Sequence, residues 1–255
     1  MRALIGADVL KLVKRRGLMI AAVAIIVGLP VVVVTIAAIG RAVSPATFGR
    51  FGGGGGYELV TGILAFGLFV VTILLGAVAG NADESRGVFR DLVATGVSRP
   101  RLALARIPAV VAVVAPLALV TFVVALAVGS LAEGDEAMPG AQDLLRDGVY
   151  VLVVISVYAA LAVGLSSLTG SLSISLTVMF TWFVIIEPIL TSISLLGDAR
   201  RLLLSPALTA INRPGARLDE EDIFGLSVGG GLVVVALWVA AFTAFGVWRV
   251  AHRDA

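Results

Sequence analysis

GLMIAAVAIIVGLPVVVVTIAAI, residues 17–39, contains no charged side chain. A helix rises 1.5 Å per residue, so a run of roughly 20 apolar residues crosses the ~30 Å hydrocarbon core of a bilayer. Five further stretches read the same way, at about 59–79, 107–129, 149–168, 173–195 and 227–247. In lipid only helices and closed barrels satisfy every backbone N–H and C=O. Barrel strands alternate with period two, whereas these runs are continuously apolar, so they are helices. Composition agrees. The chain is 59% hydrophobic and 14% charged, with a mean hydropathy of +1.08, against about 45–50% apolar and about 25% charged in a soluble domain. The expected fold is therefore all-α and polytopic: one transmembrane domain over 1–255, with six transmembrane helices. The first run exceeds the 7–15 apolar residues of a cleavable signal and leads into further spans, so it is read as a retained anchor.

Charge sets the orientation. With a cytoplasmic N-terminus, the inner segments hold twelve Arg and Lys against five acids. The outer segments hold seven basic residues against eleven acids, among them the run Asp219-Glu220-Glu221-Asp222. This is the positive-inside bias, and six spans return the C-terminus to the cytoplasm. Both lysines, Lys11 and Lys14, lie in the first fifteen residues. Residues 2–16 place Ile5, Val9, Leu12 and Val13 on one helical face and Asp8, Lys11, Lys14 and Arg15 on another. Such a helix suits the membrane interface, where Lys11, Lys14, Arg15 and Arg16 meet anionic headgroups. The plainer alternative is a basic stop flanking the first span.

Several chemistries are excluded. The chain has no cysteine, which removes disulfides and thiolate catalysis, and its single histidine is His252 in the tail. There is no G-x-x-x-x-G-K-[ST] phosphate loop, because no lysine follows Lys14. The glycine run 52–56 has no Lys-Ser/Thr partner and reads as a flexible loop. Hydrolase motifs are absent. No metal or cofactor is expected on this chain, nor any nucleic-acid partner.

Between the second and third runs lies ESRGVFRDLVATGVSRPRLALAR, residues 84–106. A short helix is expected over 83–95, with Asn81 as N-cap and acids in its first turn. Gly96 can take the left-handed conformation that stops a helix. Ser98 can cap the next helix, with Pro100 in its first turn, where no amide donor is missed. Val88, Phe89, Leu92 and Val93 form an apolar stripe on the short helix. That stripe docks either on the protein itself or on a partner.

The pattern resembles the first cytoplasmic loop of type 2 ATP-binding-cassette permeases, on Glu84, Gly87, Leu92, Thr95, Val97, Ser98, Arg99, Leu102 and Arg106. Ser85-Arg86 departs from the commoner acid-rich form. Six spans and an amphipathic N-terminal helix are compatible with that family. The resemblance implies that 83–95 is a coupling helix, with Glu84, Arg86, Phe89, Arg90 and Leu92 contacting a separate ATPase subunit. It also implies two copies of that ATPase, which bind ATP and Mg, and a second permease subunit, identical or related. The implied function is the permease subunit of an ATP-driven exporter in a bacterial cell membrane. Drugs, lipids and peptides are among the family's substrates. The alternatives are an ion-gradient transporter using Glu187 or a non-transporting scaffold.

Glu187 is the only ionisable residue well inside a run. A carboxylate there must face protein, water or a partner, or be protonated. Pro188 follows and interrupts the backbone ladder. The pair is a candidate for a helix break on the translocation path, or simply marks where the fifth span ends. Pro30 and Pro116 are expected kinks, and Gly76-x-x-x-Gly80 is a small-residue packing motif. The resemblance implies external or re-entrant helices within 196–226.

Overall fold

The computed structural model describes residues 1–44, 53–81, 96–131, 137–212 and 224–252. The chain folds as α1 (Arg2–Val13), α2 (Arg16–Val43), α3 (Gly53–Asn81), α4 (Arg99–Leu131), α5 (Ala141–Thr169) and α6 (Leu172–Ser192). A 3-10 segment (Ser194–Leu202), α7 (Leu204–Ile211) and α8 (Val228–His252) complete it. Helices α2 to α6 and α8 are long and apolar enough to cross a membrane. The protein is a multi-pass α-helical membrane protein.

The expected spans are all present, and several helices run past them. The run expected at 107–129 sits inside a helix that starts at Arg99, and the run at 149–168 inside one that starts at Ala141. Hydropathy sees only the lipid-facing length. A helix continues into the polar region because its backbone bonds are internal to the segment.

Helices α3 and α5 form the buried centre of the bundle, while α2, α6 and α8 keep most of their apolar surface outward. Ile20, Val31, Val32, Ile36 and Ile39 of α2 are all exposed, as lipid-facing side chains are. Small residues let the central helices approach. A Cβ on Gly76 would lie 2.7 Å from the Ala162 Cβ, and one on Gly80 2.7 Å from the Ser166 Cβ. The Gly76-x-x-x-Gly80 motif therefore packs α3 on α5 within one chain. On another side of α5, Gly164 meets Gly246 of α8, where an added Cβ would fall 2.7 Å or less from backbone oxygen.

Two prolines are accommodated in the same way. Pro30 follows a π-helical turn at Ala24–Gly28, and Pro188 follows one at Thr181–Ile186. Proline cannot donate to the carbonyl four residues back, and its ring clashes with it. Widening that turn removes the conflict. Pro108 and Pro116 lie within the α-helical α4.

Three expectations need correction. The glycine run, expected to be a flexible loop, instead supplies the first turn of α3 from Gly53 onward. Glycine is a poor helix former, but Gly54, Gly56 and Tyr57 are buried, and buried backbone must be hydrogen-bonded. The N-terminal helix ends at Val13 rather than 16. It also packs on α4: Leu12 is buried in the core beside Val9. Val13 is exposed, and Asp8 lies half-covered and ion-paired to Lys11 at 2.9 Å. A period-3.6 stripe of only three turns is narrow, and one residue at its edge turns outward.

Candidate functional site

Two polar constellations stand inside this apolar bundle. The first closes the face on which both termini lie. The last turn of α3 leaves carbonyls without intrahelical partners. Gly80 O accepts from the Arg106 Nη1 of α4 at 2.7 Å and from the Ser167 Oγ of α5 at 3.4 Å. Ala77 O accepts from Ser166 Oγ at 2.6 Å. Arg106 is 2% exposed, and both serines are buried. A guanidinium inside a helical bundle is costly unless its donors are used, and here it is spent on the end of a neighbouring helix. Arg99, at the start of α4, reaches Ala251 O of α8 at 3.4 Å. Gly96 takes φ +84°, the left-handed conformation expected of it, and α4 begins directly after Ser98, as expected; the short helix expected over 83–95 lies outside the described residues. The two helices that flank residues 82–95 are thus tied to each other and to α5 and α8.

The second constellation lies in the C-terminal half of α6. Glu187 is 0% exposed. Its Oε1 accepts the backbone N–H of Ser205 at 2.6 Å, while Oε2 is buried without a partner. Ser205 sits in the first turn of α7. First-turn N–H groups lack intrahelical acceptors, and the helix dipole favours a negative group there. Glu187 therefore caps α7 across space. Helix α7 folds back onto α8, and its Leu204, Ala207, Leu208 and Ala210 are buried. Trp238 Nε1 of α8 donates to Leu202 O at 2.9 Å just before it. An aromatic cluster fills the space behind: Phe69, Tyr158, Phe180, Phe183 and Trp238 meet mostly edge to face. Of the external or re-entrant helices expected within 196–226, α7 at Leu204–Ile211 is the helix among the described residues.

Compared with protein-family models, with curated proteins and with solved structures, the chain matches none.

The residues singled out from the sequence fall in three groups. Glu187 and Pro188 do not share an environment: the carboxylate points onto α7, and Pro188 is exposed on the surface of α6. Lys14 and Arg16 are exposed beside the α1–α2 turn, Lys11 is paired with Asp8, and Arg15 is half-buried. Glu84, Arg86, Phe89, Arg90 and Leu92 lie outside the described residues. Sequence reasoning missed the buried role of Arg106. The available signal was its place one turn into the apolar stretch of α4, between Ala105 and Ile107. It also missed the serines on α5, because their partner carbonyls lie more than eighty positions away.

Proposed function

We propose that the chain is the permease subunit of an ATP-driven exporter of the type 2 ATP-binding-cassette kind. The observation that carries this reading is the tied pair of helix ends around residues 82–95. A loop that receives a push from a motor subunit must hand it to helices that move as a unit. Arg106 and Ser167, converging on Gly80 O, make the end of α3 and the start of α4 such a unit. The loop's own sequence, from Glu84 through Val97-Ser98-Arg99, supports the same reading. In this reading the termini face is cytoplasmic, and two ATPase copies bind ATP and Mg there. A second permease subunit completes the pathway. Drug, lipid and peptide cargo all suit an exporter of this kind.

Affinity purification of the tagged protein from its native membrane tests the proposal, with wild type beside Glu84→Ala/Phe89→Ala and mass spectrometry of what co-purifies. Recovery of an ATP-binding-cassette ATPase with wild type, and its loss from the double variant, is the expected result. If no ATPase is captured even after cross-linking, the exporter reading fails.

A further inference from the structure

Helix α6 ends at Ser192, and the 3-10 segment that follows it, Ser194–Leu202, buries none of its residues. Leu195 is 96% exposed, the most exposed large apolar side chain among the described residues. Ile193, Leu196 and Leu202 are exposed as well. This apolar surface does not stand alone. Ile185 and Ile189, one and two turns earlier on the lipid-facing side of α6, are exposed, and Ile193 continues their four-residue spacing. Gly197, at φ +49° and ψ −127°, then turns the chain back.

Two contacts fix the depth at which the segment lies. Trp238 stands ten residues inside α8, about 15 Å from its start, and its indole N–H reaches back to Leu202 O at 2.9 Å. Glu187 stands five residues before the end of α6, about 7.5 Å along the axis, and accepts the Ser205 N–H at 2.6 Å. The chain that leaves α6 therefore comes back down beside the spans and does not rise away from them. The charges of the segment are met within it or next to it. Arg201 pairs with Asp198 at 3.1 Å, and Arg200 donates to Gly197 O at 3.2 Å and to Thr191 O at 3.4 Å.

We propose that the Ser194–Leu202 segment docks on phospholipid, at the boundary between headgroups and acyl chains on the face opposite the termini, with Ile193 and Leu195 among the acyl chains. Contiguous exposed apolar surface marks a contact with membrane or with another protein, and amphipathic segments settle at this boundary. Continuity with the lipid-facing side of α6 favours lipid. So does shape. A second copy related by a twofold axis presents the same surface, and a side chain standing as clear as Leu195 needs a recess in it. Two large cavities open on that surface, between α3 and α5 and between α4 and α5, and neither is lined by α6 or by this segment. Fluid acyl chains need no recess. The inference does not depend on the exporter reading.

The chain contains no cysteine, so Leu195→Cys carries a single environment-sensitive fluorophore, and a side chain this exposed can be replaced without disturbing the fold. The labelled protein, in phosphatidylcholine vesicles, is quenched in turn by a phosphatidylcholine bearing a nitroxide high on its acyl chain and by aqueous iodide. Asp143→Cys is the water-side control. The expected result at 195 is quenching by the nitroxide lipid at least threefold stronger than by iodide, with the reverse order at 143. Ile193→Cys is expected to behave as Leu195→Cys does. Stronger quenching by iodide at 195 overturns the proposal, because the segment then stands in water. Protection from both quenchers overturns it too, and a disulfide between two unlabelled Leu195→Cys chains would then assign the face to a second copy.

Discussion

The carboxylate of Glu187 and the backbone amide of Ser205 stand 2.6 Å apart although eighteen residues separate them. One belongs to the helix that leaves the bundle and the other to the short helix that folds back into it. This contact decides how the buried acid of α6 is used. A carboxylate in lipid needs a partner, and a helix N-terminus buried in protein needs an acceptor. Each resolves the other's cost, and α7 is held against α8 as a result.

A capping role separates two substitutions at this position. Glu187→Gln keeps an oxygen for the Ser205 N–H and is expected to be nearly neutral for stability. Glu187→Leu leaves a buried donor unmet, which costs about 1–3 kcal/mol. Thermal unfolding in detergent, followed by tryptophan emission, reports on this directly because Trp182 and Trp238 pack together beside the site. Equal melting of the two variants would refute the cap.

The α3–α5 crossing has no room for side chains. Gly76→Leu and Gly80→Val must push the backbones apart, since an added Cβ already sits 2.7 Å from a neighbour. Overpacking of this kind costs about 1–3 kcal/mol. Monodisperse yield on size-exclusion chromatography should fall sharply for both. Gly148→Ala, at a position with nothing within 4 Å of the new Cβ, should match wild type.

Arg106 offers a test of the junction on the termini face. Arg106→Met removes the donor to Gly80 O and leaves that carbonyl with only the longer bond from Ser167. Limited proteolysis of right-side-out and inside-out vesicles should then show faster cutting between α3 and α4, from the termini side alone. Arg106→Lys keeps a charged donor and is expected to fall between the two. Cutting rates that do not change would show that Arg106 does not hold these helix ends.

Topology can be read without background labelling, because the chain contains no cysteine. Cysteines placed singly at Asp143 and Lys14 should give opposite results in intact cells. A membrane-impermeant maleimide should label the first and reach the second only after permeabilisation. Labelling of both in intact cells would overturn the six-span arrangement.

What the sequence determined by itself is whatever depends on neighbours in the chain. Apolar run length located the six spans, because burial in lipid needs only enough consecutive apolar residues. The left-handed conformation of Gly96 was legible for the same local reason, and so was the start of α4 after Ser98 with Pro100 in its first turn. The prolines marked where helices must adjust, although a π-turn rather than a break was the outcome at Pro188. Tertiary structure alone decided which polar groups meet. Arg106 finds Gly80, Glu187 finds Ser205, and Tyr57 finds Asp147 ninety positions away. These pairings depend on how each helix is rotated about its axis and how far it is shifted along its neighbour. In an apolar bundle that register is set by where small residues permit close approach, as at Gly76 with Ala162 and Gly164 with Gly246. Hydropathy is nearly uniform around such helices and carries little information about it.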